Sequence, residues 1–161
     1  GIQILHDGRK KSGHWVTIAM NGPSHVTLYD SLGRFPLQNE LLLQIANILG
    51  CEPDRSGVIT VHRPAVQLQE TNACGVYAIA FAWTLACGKD PAMVTYDGSR
   101  MRSHLENCLL TRTLSDFPVC SVSSHGRVQN YIFKFWVKTI TKNNGDKQTI
   151  AEIVECGPVR L

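Results

Sequence analysis

The chain has 161 residues, 43% of them hydrophobic and 18% charged, with a formal net charge of +3. That length suits one globular core and leaves no room for two full-sized ones, and the composition argues against disorder. No apolar run approaches the ~20 residues of a membrane span, and the positive excess, confined to residues 112–161, is too sparse for the basic stripe of a nucleic-acid-binding surface.

In chain order, residues 2–5 form a short β-type run, and His6-Asp7-Gly8-Arg9 is turn-like. Residues 15–20 and 25–29 are two apolar or β-branched runs joined through Met20-Asn21-Gly22-Pro23-Ser24, which predicts a hairpin with a five-residue loop that starts at the end of the first run. Residues 37–49 place Leu41, Leu42, Ile45, Ile48 and Leu49 at helical spacing and stop at Gly50, a C′ residue. Residues 58–61 predict a strand. Residues 74–86 are almost wholly apolar, so a helix there belongs in the centre of the core. A further helix is expected over 99–110, with Met101, Leu105 and Leu109 facing inward. Residues 128–141 and 148–155 read as a long hairpin around a type I′ turn at Asn144-Gly145. Strands and helices in this order predict an α+β class, a mostly antiparallel sheet packed on the central helix, rather than alternating βαβ units.

The six cysteines are residues 51, 74, 87, 108, 120 and 156, with no CxxC pair, so the spacing offers no zinc ribbon or finger. No signal peptide is read at the N-terminus, and a domain of this length needs no disulfide staples. The thiols are therefore expected to be reduced, in the cytoplasm or nucleus.

Three residues carry chemistry. His14 opens the second predicted strand, Asp30 closes the third, and Cys74 opens the central helix. In an antiparallel hairpin, opposed residues have a constant index sum. A loop centred on Gly22 gives 44, which pairs 14 with 30 and sets their Cβ atoms about 4.5–5.5 Å apart. A carboxylate at that reach can hold one imidazole nitrogen and orient the other. A thiol at a helix N-terminus lies near the positive end of the macrodipole, which favours thiolate. Gly75 then leaves the Cys74 amide open to an oxyanion, and Gln67 and Gln69 lie just upstream as side-chain donors. Each residue alone also has a bland reading: Cys as a small buried hydrophobe, His as a structural residue, Asp as a turn starter. His6, His25, His62, His104 and His125, with Cys87 and Cys108, are read in that bland way.

The strings Gly13-His14-Trp15-Val16-Thr17-Ile18, Val26-Thr27-Leu28-Tyr29-Asp30-Ser31-Leu32 and Gln69…Asn72-Ala73-Cys74-Gly75-Val76-Tyr77 resemble the ubiquitin-like-protein proteases. These are the SUMO- and NEDD8-protease-like members of the adenain-related clan of cysteine peptidases. Ala78-Ile79-Ala80-Phe81-Ala82 and Met101-Arg102-Ser103-His104-Leu105 look like its transposon-associated branch. The likeness covers residues 1 to about 111, giving a protease core at 1–111 and a basic extension at 112–161 that belongs to the same domain.

The resemblance implies His14 as general base, Asp30 as its orienter and Cys74 as nucleophile, without metal or cofactor. It also implies Gln69 as the oxyanion donor, although the family's Gln usually stands six residues before Cys, where this chain has Leu68; Gln67 is the other candidate. Trp15 matches a family Trp that walls a tunnel for a Gly-Gly tail, with ordinary core packing as the rival reading. The implied activity is cleavage after the C-terminal glycine of ubiquitin or a ubiquitin-like modifier such as SUMO or NEDD8. A catalytically dead modifier-binding module and an acyltransferase using the same triad are the alternatives. Family domains carry several dozen residues before the His strand and this chain has 13, so part of the substrate wall is expected to be missing, with the 128–156 hairpin adding strands to the sheet or covering that surface.

Overall fold

The computed structural model describes residues 1–8, 13–33, 37–63, 72–120 and 129–159. Its elements are β1 (Ile2–His6), β2 (Trp15–Gly22), β3 (His25–Tyr29), α1 (Asn39–Ile48), β4 (Ser56–Arg63), α2 (Cys74–Ala86), a 3-10 turn at Pro91–Met93, α3 (Met101–Thr111), β5 (Gln129–Thr141) and β6 (Lys147–Pro158). The six strands form one sheet in sequence order. Only β3–β4 is parallel; the other neighbours run antiparallel. The class is α+β with a mostly antiparallel sheet, and α1 supplies the crossover that the parallel pair requires.

Alternation along β2 divides the core between two faces. Val16 and Ile18 join Val26, Leu28, Ile59, Val61, Phe133 and Phe135 beneath Leu41, Leu42 and Ile45 of α1. Tyr29 and Ala19 face the other way, onto Val76, Tyr77, Ala80 and Phe81 of α2 and Met101 of α3. Thr17, wholly buried, donates its hydroxyl to the Ala78 carbonyl at 2.7 Å and fixes α2 along β2. Helix ends follow the sequence: Gly50 (φ +63) and Gly88 (φ +74) stop α1 and α2 in the left-handed conformation. Cys51 N–H to Ala46 and Lys89 N–H to Thr84 complete two Schellman caps.

Several expectations need correction. β2 runs on to Gly22, with a register shift between Met20 and Gly22, so only Pro23-Ser24 separates the strands. The index sum is then 46, not 44: Thr17 pairs with Tyr29 and Ile18 with Leu28. β4 extends beyond 58–61 because it is held on both sides, by β3 and by β5. α3 starts at Met101 rather than 99, because the Asp97 carboxylate takes the Ser99 amide and hydroxyl into a turn. Leu109, expected inward, is exposed, and Cys108 takes the buried position. The β5–β6 turn is not type I′: only Gly145 has positive φ, and its amide bonds the Lys142 carbonyl. That is a three-residue loop with glycine in the left-handed position. β5 pairs with β4 from Ser56↔Trp136 to Arg63↔Gln129, so the C-terminal hairpin continues the sheet.

Candidate active site

His14 lies one residue before β2 and Asp30 one residue after β3, at the same end of the sheet. Both are almost fully buried. Extending the observed register puts Asp30 opposite Val16, which makes His14 its diagonal neighbour. The shift from a sum of 44 to 46 is two residues, so parity is kept and both side chains remain on one face. Asp30 Oδ1 bonds His14 Nε2 and also accepts the Leu32 amide at 2.8 Å. A carboxylate only accepts, so Nε2 carries a proton, and in the neutral ring the lone pair is then at Nδ1. That Nδ1 is buried and has no hydrogen-bond partner among the described residues. Leaving a buried nitrogen unpaired costs about 1–3 kcal/mol.

The backbone of His14 is held as firmly as its ring. Its amide donates to Asp7 Oδ1 at 3.1 Å, and its carbonyl accepts from the Asp7 amide at 2.9 Å. His6, immediately before, packs edge-on against Trp15 with ring centroids 4.9 Å apart. A Cβ at Gly13 would lie 1.7 Å from His6 Nε2, so a side chain there would have to displace this imidazole.

Cys74 is the first residue of α2, half-buried. Ala73 at the N-cap has no side-chain acceptor to offer the first-turn amides, which leaves the helix terminus a potential anion site. A Cβ on Gly75 would touch Trp15 Cδ1 at 3.6 Å, so the start of α2 rests beside the indole. Trp15 is 44% exposed, which removes the core-packing reading. Arg102 of α3 donates to the Asn72 carbonyl at 3.0 Å and steadies the approach to Cys74. The structure thus joins His14 to Asp30 and sets Trp15 against the first turn of α2. It does not join Cys74 to His14: Nε2 is taken by Asp30, and Nδ1 has no partner among the described residues. Gln67 and Gln69 lie outside the described residues, as does His125.

A second Cys–His pair occurs on α3, where Cys108 Sγ lies 3.4 Å from His104 Nε2. The same nitrogen is 3.2 Å from the Ser115 carbonyl. A carbonyl accepts, so that nitrogen bears a proton and cannot take one from the thiol. His25 with Thr60, and His62 with Asn130, are likewise occupied in structural bonds. All six cysteines are free. Among the described residues no cluster of His, Cys, Asp or Glu could hold a metal ion, and no helix is long and apolar enough to cross a membrane. A groove of about 440 Å³ beside Ser24, Cys51, Glu52 and Arg55 lies at the hairpin end of β2, away from His14. Burial pushes the Cys51 thiol up, with Arg55 opposing, and among the described residues no histidine lines the groove beside it.

The sequence reading missed Asp7 and Arg102. A turn-like His-Asp-Gly carries no signal that its carboxylate folds back onto a residue seven positions later. Arg102 looks like any solvated helical arginine until α3 is placed beside α2. No family model, curated protein or solved structure matches the chain.

Proposed function

We propose that this chain is a cysteine peptidase of the adenain-like type, cleaving peptide or isopeptide bonds after the C-terminal glycine of ubiquitin or a ubiquitin-like modifier such as SUMO or NEDD8. The observation that carries the reading is the buried His14 imidazole, held by Asp30 at Nε2 with a lone pair unused at Nδ1. Cys74 opening an uncapped helix beside an exposed Trp15 supplies the second half.

In this mechanism Cys74 Sγ closes on His14 Nδ1 and gives up its proton there. The thiolate attacks the glycine carbonyl carbon, and the amide of Cys74, with Gln69 or Gln67, receives the oxyanion. His14 Nδ1–H then protonates the leaving amine, and water hydrolyses the thioester with His14 again as base. Asp30 holds the ring through both transfers. Trp15 forms one wall for the extended Gly-Gly tail. The mechanism needs a reduced Cys74, so the protein is assigned to a reducing compartment, the cytoplasm or nucleus.

The absence of a Cys74–His14 hydrogen bond favours a second reading, a modifier-binding module that does not turn over. Fluorogenic C-terminal amides of ubiquitin, SUMO and NEDD8 separate the two. Release of the fluorophore by the wild-type chain and not by Cys74→Ala supports the peptidase. Binding of a modifier without release by either supports the module.

A further inference from the structure

We propose that Asp7 is a positioning residue for His14, an inference that rests on the peptidase reading of that histidine. The β1–β2 ladder ends at the pair His6↔Trp15, and its next pair is Asp7 with His14. A hydrogen-bonded antiparallel pair exchanges two backbone bonds. Here only one of them is backbone to backbone, from the Asp7 amide to the His14 carbonyl at 2.9 Å. The return bond runs from the His14 amide to the Asp7 carboxylate at 3.1 Å, in place of the Asp7 carbonyl. The side chain thus stands in for its own backbone acceptor. This lets the main chain turn away at Gly8, whose φ is +84, while His14 keeps the conformation of a paired strand residue.

That conformation matters because His14 lies outside β2, where no further ladder bond constrains it. The direction of its Cα–Cβ bond decides whether Nε2 reaches Asp30, and hence where Nδ1 points. Asp7 is 5% exposed and Asp30 is equally buried, so two interior carboxylates clamp one histidine, one at the backbone and one at the ring. A buried carboxylate is expensive unless its bonds are made. The two roles differ: Asp30 bonds the ring, whereas Asp7 acts on the site through the His14 backbone.

The test uses the His14 Nε2 proton, read by 1H–15N correlation on the full chain and assigned by its loss in Asp30→Ala. In Asp7→Ala the proton is expected to exchange with water at least about tenfold faster, since the amide that orients the ring has lost its acceptor. Asp7→Asn retains an oxygen at the same position and is expected to keep exchange within about threefold of wild type. A folded Asp7→Ala with unchanged exchange would overturn the proposal. Where Asp7→Ala does not fold, Asp7→Asn decides: retention of the proton supports the clamp, and its loss overturns it. Labelling of Cys74 by an electrophilic modifier is scored separately. Failure of labelling in the wild type, with the NMR response intact, removes the peptidase reading and leaves the positioning role standing.

Discussion

His14 and Asp30 meet on the diagonal of the β2–β3 ladder, Asp30 standing opposite Val16 and reaching back across one strand to bond His14 Nε2. Diagonal neighbours are farther apart than opposed ones, and the long imidazole side chain spans that extra distance to the carboxylate. The same carboxylate also takes the Leu32 amide and shapes the turn that ends β3. One side chain thus serves both the fold and the imidazole.

Asp30→Ala leaves two buried donors without an acceptor. We expect a loss of about 2–4 kcal/mol in stability, measured by the shift in urea midpoint. Asp30→Asn, which can still accept the Leu32 amide, loses less than half of that. Equal losses for the two variants would assign the stabilisation to the charge rather than to the turn.

Thr17→Val tests the placement of α2. The Thr17 hydroxyl and the Ala78 carbonyl are 2.7 Å apart in a site without water access, and a methyl group at that distance must push the helix outward. About 1–2 kcal/mol is the expected cost, and Thr17→Ser, which keeps the hydroxyl, is predicted to retain most of the stability in thermal melts.

Gly57→Ala places a methyl 2.3 Å from Cζ of the fully buried Phe135. Overpacking of this kind costs about 1–3 kcal/mol. Phe135→Leu vacates part of that space, so the double variant is expected to lose less than the sum of the single losses. A double-mutant cycle measured by chemical denaturation checks it.

Alkaline pH is expected to weaken the α2 face of the core. Burial pushes the Tyr96 hydroxyl up to about 12 from 10.0, and burial followed by Asp90 raises Tyr29 further still. Both groups hold their protons more tightly folded than unfolded. Their contribution is therefore complete below pH 10.0 and falls as pH rises toward about 12, by about 2–3 kcal/mol for Tyr96. Circular dichroism between pH 8 and 12 on wild type and Tyr96→Phe reads this: the variant should show a shallower decline.

How far these features were legible from residues alone can be argued element by element. α2 was legible to its end residues because an apolar run between Cys74 and Gly88 has only one compact solution. The pairing of His14 with Asp30 was legible, but for a reason that needed correction. The hairpin was expected to open at Met20, whereas the strand continues through a bulge to Gly22. Bulges are set by tertiary pairing and leave little trace in composition. Leu109 read as core because helical spacing gives a stripe but not which stripe is covered; burial of Met101 and Cys108 rotates it to the outside. Asp7 was illegible, since its partner is fixed by the β1–β2 register rather than by any local motif.

In the proposed mechanism Cys74 and His14 act together, and the other five free cysteines provide internal controls. Wild type, Cys74→Ala and His14→Ala chains are treated with a ubiquitin-like modifier carrying a C-terminal propargyl group, and the modified cysteine is mapped by peptide mass spectrometry. A single adduct on Cys74 is expected, at a rate reduced by at least about a hundredfold in His14→Ala, with the exposed Cys87, Cys120 and Cys156 and the half-buried Cys51 unmodified. Labelling spread over the exposed thiols, or labelling of Cys74 at the same rate without His14, would contradict it.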